Sequence, residues 1–243
     1  MPNSDTILVV NPNFDIATSF IHLWANEIIS EAQSLGLNVI NLDTKNARLP
    51  QFENEIINSD PILIMENGHG IDWIYTGDEQ TDILWVPNDY RGQTDSNINL
   101  VRGRGNYMLS CLTGRALGPA IAAQDNTFYL GYTEDFVFTG FEPGDQYSQP
   151  FKECSNAIMR ALLHGGTIQD AYAEGIRMFD LWIDMWEQSG DGSASFVIAS
   201  LIHDRDALIA LPGMVPPPPA ERKSIFPEMV ISFYGTIIPL SLL

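Results

Sequence analysis

Positive charge is scarce in this sequence, which has 12 Lys and Arg residues against 31 Asp and Glu residues and a formal net charge of −19. Such an excess of negative charge repels a phosphate backbone. We therefore expect no nucleic-acid partner. An acidic surface also attracts cationic substrates over long distances.

Cysteine is equally scarce, since the chain contains only Cys111 and Cys154. These two residues could form one disulfide, but nothing else in the sequence indicates an oxidising compartment. The start of the chain, "MPNSDTILVV", lacks the basic residues, apolar core and cleavage site of a secretory signal. We therefore expect free thiols and a cytoplasmic protein.

Long hydrophobic runs are absent, and a membrane-spanning helix needs about 18 to 20 apolar residues. The nearest candidate, "MVISFYGTIIPLSLL", is too short and contains Gly235 and Pro239. It follows the Pro-rich spacer "VPPPPA" at 215–220, which is typical of a stiff linker. The sequence predicts no membrane span, one α/β domain over 1–213, and a C-terminal tail over 214–243 that docks on a partner or on the domain itself.

Short apolar segments alternate with helical patterns in the rest of the chain. The segment "TILVV" at 6–10 is typical of a strand buried on both faces, and a helix follows it and ends at Gly36. The other predicted strands are 38–43, 61–66, 106–110, 127–133 and the segment "DALIALPG", and the other predicted helices are 118–123, 149–164, 168–188 and 193–204.

This alternation predicts an open, mostly parallel six-stranded sheet with helices on both faces. Functional sites in such sheets form at the carboxyl ends of the strands. The polar segment 70–105 is too long for an ordinary connection, so we expect a hairpin or functional loop inserted beside those strand ends.

Two residues with reactive side chains follow consecutive predicted strands. His69 comes just after the third strand, between Gly68 and Gly70, and Cys111 comes just after the fourth. If the two strands are neighbours, these side chains face each other across a strand spacing of roughly 5 Å. An imidazole or a nearby helix N-terminus would raise the thiolate fraction of Cys111. The glycines would let a substrate backbone approach, and backbone N–H groups here could bind an oxyanion.

The segments "ILIMENGHG" and "YMLSCLTGRALGPAIAAQDNTFYLGYTEDF" together resemble the caspase-like cysteine peptidases, which include caspases, metacaspases, gingipains, clostripain, separase and bacterial CHAT domains. In that family a His-Gly pair follows the third strand, and a Cys followed closely by Gly follows the fourth. The resemblance covers residues 6–138 and extends through the "DALIALPG" strand.

The resemblance implies a caspase-like fold and a His-Cys dyad that cleaves peptide bonds. His69 would be the general base or thiolate partner, and Cys111 would be the nucleophile that forms an acyl-enzyme. The N–H groups of Gly70 and Cys111 would form the oxyanion hole, with Gly68 against the substrate. The chain departs from metacaspases and clostripain at Leu109, where they carry an acidic residue, and it lacks the caspase pentapeptide, so it resembles a distant member.

Two acidic residues near the predicted site have two explanations each. Several family members carry a charged specificity residue in the loop after the first strand, here "NPNFDIA", so Asp15 would bind a basic P1 side chain. Asp15 also suits the N-cap of the helix that begins at Ile16. Glu66 would contact the substrate site and orient His69, or it would simply be a solvated strand end.

Three arginines, Arg102, Arg104 and Arg115, are near the predicted site in sequence. They would suit an acidic P1 side chain or anchor loops. Cys154 lies among hydrophobic residues of a predicted helix and is expected to be a small core residue.

The sequence thus predicts a cysteine peptidase that acts on a protein or peptide substrate, with no cofactor and no metal ion. The alternative is a catalytically silent module of the same fold that acts by binding a partner, through the apolar tail. A doubly wound protein that binds a small molecule or a nucleotide is a weaker third possibility, because no glycine-rich phosphate loop follows the first strand.

Overall fold

A six-stranded sheet lies at the centre of the computed structural model, which describes residues 3–213. The strands of this part are β1 (Asn3–Asn11), β2 (Asn38–Asp43), β3 (Pro61–Asn67), β4 (His69–Ile71), β5 (Ile74–Thr76), β6 (Asp82–Trp85), β7 (Gly105–Leu109), β8 (Phe128–Tyr132) and β9 (Leu208–Leu211). The sheet has the order β2-β1-β3-β7-β8-β9, and β9 runs antiparallel to β8 while the other pairs are parallel. The predicted α/β class and mostly parallel six-stranded sheet are confirmed.

Helices pack on both faces of the sheet, as the apolar character of its central strands requires. The helices of the described part are α1 (Ile16–Ser34), α2 (Leu49–Ser59), α3 (Leu117–Ala122), α4 (Gln149–Leu163), α5 (Ile168–Gln188) and α6 (Ala194–Ala207). One core joins the sheet to α1, α4, α5 and α6, with Trp24 and Phe179 among its buried side chains. The second core joins the other face to α2, α3 and the inserted segment.

Helix α2 was not among the predicted elements. Its signal is present in the sequence, because Leu49, Phe52 and Ile56 recur at three- and four-residue spacing and Pro50 suits the first turn of a helix. Phe52 and Ile56 are both buried in the second core. The pattern is only two turns long, which makes it easy to mistake for a connecting loop.

The inserted segment 70–105 contains most of a small antiparallel sheet of β4, β5 and β6. The sequence predicted a hairpin or a functional loop in this segment, and the structure shows antiparallel hairpins. Tyr75, Ile83 and Leu84 are buried against the main sheet. The Arg48 guanidinium donates two hydrogen bonds, of 3.0 and 2.7 Å, to the carboxylate of Asp78, which lies between β5 and β6. Because β4 begins at His69, this packing fixes the backbone that carries the imidazole.

Both cysteines are free thiols, and Cys154 is fully buried in the first core, as predicted. The Pro-rich spacer and the apolar tail predicted over 214–243 lie outside the described residues. Within residues 3–213, no helix combines the length and apolar character needed to cross a membrane.

Candidate active site

The strands that precede His69 and Cys111 are neighbours in the sheet, which meets the condition on which the predicted site depends. β3 and β7 pair in parallel, with Asn67 opposite Leu109 at their carboxyl ends. One further hydrogen bond of 3.3 Å, from the Gly68 N–H to the Leu109 carbonyl oxygen, continues the contact beyond the strands. His69 and Cys111 each follow two residues after this last pair, so the fold brings their backbones to the same edge of the sheet.

The glycines on either side of His69 are required by packing within the protein. Gly68 has a φ of +153°, and a Cβ atom there would collide with the Thr76 carbonyl oxygen. A Cβ atom on Gly70 would lie 2.6 Å from Cγ2 of Thr113 and 2.7 Å from the Cys111 carbonyl oxygen. The β4–β5 hairpin therefore packs directly on the loop of Cys111. Since the Gly68 N–H is already bonded within the protein, only Gly70 and Cys111 remain as the predicted oxyanion donors.

The imidazole of His69 contacts the carboxylate of Asp15, for which the sequence predicted either P1 binding or the N-cap of the first helix. Its Nε2 atom lies 2.6 Å from Oδ2 of Asp15, and the Phe14 ring meets the imidazole edge-on at 5.7 Å between ring centres. The His69 and Asp15 side chains are 33% and 35% exposed. The pair is thus accessible to solvent at the rim of the sheet.

Asp15 is held rigidly because it is also the N-cap of α1. Its Oδ1 atom accepts hydrogen bonds of 2.8 Å from both the N–H and the hydroxyl of Thr18. In return, the Thr18 hydroxyl oxygen accepts a hydrogen bond of 3.0 Å from the Asp15 N–H. Burial favours the neutral carboxyl, but the bonds from Thr18 and His69 outweigh burial and hold the pKa of Asp15 below its usual value. Asp15 therefore presents a fixed negative charge to the imidazole.

The thiol of Cys111 lies in a surrounding that disfavours the thiolate. Burial is the largest effect and raises the pKa of Cys111 to about 11. The Phe136 N–H donates a hydrogen bond that opposes this shift, whereas the nearby carboxyls of Asp135 and Asp204 add to it. The pKa of Cys111 is thus raised, whereas the activation expected from the sequence would lower it. The reason is that in this conformation the thiol faces the segment after β8.

The turn that follows Cys111 has an unusual backbone. The Thr113 N–H donates to the Cys111 carbonyl oxygen at 2.7 Å, which closes a three-residue γ-turn around Leu112 with a φ of +62°. A positive φ at a non-glycine residue is uncommon, and γ-turns of this hand are rare and strained. Such strain persists only where surrounding contacts hold it, and it is concentrated at functional sites.

Helix α3 does not supply the expected dipole to Cys111. It has six residues, and its first N–H groups are used elsewhere: that of Leu117 donates to the Asp72 carbonyl and that of Gly118 donates to the Thr113 carbonyl, both at 2.8 Å. Helix α3 therefore stabilises the loop without activating the thiol.

Glu66 is neither a solvated strand end nor the partner of the His69 ring. Its side chain is fully buried, and burial raises the pKa of Glu66 well above its usual value. Among the described residues, neither of its carboxyl oxygens has a hydrogen-bond partner. The carboxylate that contacts the imidazole is that of Asp15, so Glu66 lies below the site and out of reach of a substrate.

The three arginines anchor loops. The Arg115 guanidinium donates to the Thr133 carbonyl at 2.6 Å and forms an ion pair with Glu134, which ties the loop of Cys111 to the segment after β8. Arg102 forms an ion pair with Asp125, and Arg104 forms one with Asp60. Each guanidinium thus has a carboxylate partner within the protein.

Across residues 3–213, no three His, Cys, Asp or Glu side chains converge in an arrangement that would hold a metal ion. The candidate site consists of Asp15, His69 and Cys111, which follow the carboxyl ends of β1, β3 and β7, respectively. No protein-family model matches the chain, and no curated protein matches it significantly.

Proposed function

We propose that this protein is a cysteine endopeptidase of caspase-like fold, in which His69 and Cys111 form the catalytic dyad. The observation that carries this proposal is the parallel pairing of β3 and β7, with Asn67 opposite Leu109. It brings an imidazole and a thiol to one edge of the sheet, where sites form in open α/β sheets. The mostly parallel six-stranded sheet, covered by helices on both faces, is the architecture that the caspase-like resemblance implies and so supports the proposal.

The chemistry begins with transfer of the thiol proton of Cys111 to His69, which leaves the electron pair on sulfur. The thiolate attacks the peptide carbonyl, and the N–H groups of Gly70 and Cys111 stabilise the oxyanion. His69 then protonates the leaving amine, and water hydrolyses the thioester. The thiol must first turn away from Asp135 and Phe136, with which it interacts in this conformation.

The surroundings of the dyad favour a basic substrate. Asp72, Glu134 and Asp135 adjoin the loop of Cys111, and Arg115 lies between the first two and pairs with both, which leaves three negative charges against one positive charge. This excess of negative charge attracts a Lys or Arg side chain at P1. The preference rests on these carboxylates, because the Asp15 carboxylate is already bonded to His69 and Thr18.

A catalytically silent module, acting through partner binding, is the second candidate. It is favoured by a specific observation, the surroundings that raise the pKa of Cys111 to about 11. A thiol with this pKa carries almost no thiolate at neutral pH, so it would react as slowly as an ordinary buried cysteine. Either function suits the free thiols and the cytoplasmic location that we infer from the sequence.

The two candidates differ in the reactivity of Cys111. We would measure its alkylation by iodoacetamide from pH 5 to 9, with Cys154 as the buried internal control and the His69→Ala variant as the comparison. A peptidase predicts fast alkylation of Cys111 at pH 6 that collapses in His69→Ala, and loss of peptide cleavage in Cys111→Ala. Equal, slow alkylation of both cysteines, with both variants folded, would support the silent module instead.

A further inference from the structure

We propose that Asp15 is a positioning residue for His69: the Asp15 carboxylate holds the imidazole proton on Nε2 and thereby makes Nδ1 the atom that accepts the thiol proton. This inference rests on the proposed function, and it replaces the substrate-binding role that the sequence suggested for Asp15. The contact that carries it is the 2.6 Å separation between Nε2 of His69 and Oδ2 of Asp15.

The orientation of the carboxylate is determined by α1. The Oδ1 atom of Asp15 accepts hydrogen bonds from the N–H and the hydroxyl of Thr18, and the Oδ2 atom therefore faces the imidazole. An ionised carboxylate can only accept, so Nε2 must carry a proton to bond with it. The N-cap of a helix thus selects one tautomer of a histidine that is 54 residues away in the chain.

The ring is also fixed in orientation, because the edge-on contact with Phe14 at 5.7 Å and the Asp15 bond hold the imidazole from two sides. When Nδ1 accepts the proton of Cys111, the S–H bond breaks, an N–H bond forms, and the electron pair stays on sulfur. The resulting imidazolium charge lies beside the Asp15 carboxylate, which lowers the energy of the ion pair.

The Asp15→Asn variant separates this role from helix capping. Its Oδ1 can still accept from Thr18, so the cap is retained. The amide nitrogen then occupies the position of Oδ2 and can only donate, so Nε2 must give up its proton. We expect the neutral imidazole of Asp15→Asn to carry its proton on Nδ1, which removes the lone pair that would accept the thiol proton.

The experiment is long-range ¹H–¹⁵N correlation NMR of ¹⁵N-histidine-labelled full-length protein above neutral pH, with the His69 signals assigned from His69→Gln. Wild type should show Nε2–H at His69, and Asp15→Asn should show Nδ1–H. In the same samples, Cys111 alkylation at pH 7 should fall by roughly tenfold or more in Asp15→Asn. Asp15→Ser, which keeps a capping oxygen but has no carboxylate, should retain the fold and also slow alkylation.

The chain offers a matched control. Nε2 of His22 lies 2.6 Å from Oδ1 of Asp43, the same kind of contact at the same distance, outside the site. Asp43→Asn should change only the His22 signals and leave both the His69 tautomer and Cys111 alkylation at wild-type values.

Three outcomes of the NMR and alkylation experiments would each refute one part of the proposal. Retention of the proton on Nε2 of His69 in Asp15→Asn would refute the positioning role. A tautomer that inverts while Cys111 alkylation stays unchanged would refute Nδ1 as the proton acceptor. If Cys111 in the wild type is as unreactive as Cys154, the proposed peptidase function is refuted. If the His69 tautomer still changes in Asp15→Asn in that case, the positioning of His69 by Asp15 stands on its own.

Discussion

Gly70 packs so closely on Cys111 that a Cβ atom at position 70 would lie 2.7 Å from the Cys111 carbonyl oxygen. This contact locks the hairpin that carries His69 against the loop that carries the thiol. The two reactive residues are therefore placed relative to each other by backbone packing, which single side-chain movements cannot alter.

Replacing Gly70 with alanine tests this packing. The added methyl group meets Thr113 at 2.6 Å and the Cys111 carbonyl at 2.7 Å, so the hairpin must move. We expect Gly70→Ala to lower the free energy of unfolding by roughly 1–3 kcal/mol, as other overpacking substitutions do, in urea titrations. Gly192→Ala is the control, because a Cβ atom there meets nothing within 4 Å. Equal stability of the two variants would mean that the hairpin and the loop are not in close contact.

Glu66 makes stability depend on pH. Because burial raises the pKa of Glu66 well above 4.5, the folded protein keeps a proton that the unfolded chain loses. The stabilising effect of this bound proton is complete below about pH 4.5 and decreases as pH rises, by up to about 1.4 kcal/mol per pH unit. We therefore expect the unfolding free energy of Glu66→Gln, relative to wild type, to increase from pH 4 to pH 8.

Urea unfolding at pH 4, 6 and 8 measures this difference, with Glu187→Gln as the exposed control. Glu187→Gln should track wild type at every pH. If the difference between Glu66→Gln and wild type is the same at pH 4 and pH 8, Glu66 is ionised in the folded protein and its burial is incomplete.

Asp135 contributes to the high pKa of the Cys111 thiol through its negative charge. Removing that charge in Asp135→Asn should lower the pKa of Cys111, because a like charge no longer opposes the thiolate. We expect the alkylation rate of Cys111 to increase at pH 8 and the pH profile to move to lower pH. Asp184→Asn, at an exposed site on α5, provides the matched change in net charge. Identical profiles for the two variants would show that Asp135 does not face the thiol.

A buried chain of hydroxyl groups supports the loop of Cys111. The Tyr129 and Thr113 hydroxyls lie 2.9 Å apart, and Thr113 is also 2.9 Å from the hydroxyl of Ser110. Tyr129→Phe removes the hydroxyl that bonds with Thr113 and with the Tyr132 backbone, and it should cost about 1 kcal/mol of stability or more. Tyr90→Phe, at a side chain that is 68% exposed, should be neutral in the same thermal unfolding experiment. A neutral Tyr129→Phe would indicate that this chain of hydroxyls contributes nothing.

The local patterns of the sequence determined the class of fold, and they placed His69 and Cys111 at the ends of strands that would bring them together if those strands are neighbours. Strands such as β3 are short and continuously apolar because both of their faces are buried, and this character is visible in the sequence without any knowledge of tertiary contacts. Parallel strands must be joined by crossovers, so the residues after β3 and β7 necessarily emerge at the same edge.

Only the tertiary structure decided the partners of these side chains. The Asp15–His69 contact joins residues 54 positions apart, and the thiol of Cys111 faces Asp135 on a loop whose path no periodicity predicts. Glu66 lies near the end of β3, and the sequence left open whether it orients His69 or lies in solvent. Its side chain instead points into the second core, because which face of a strand end is covered depends on elements far away in the chain. Sequence patterns specify burial and direction along one element, while side-chain pairing and pKa values depend on the packing between elements.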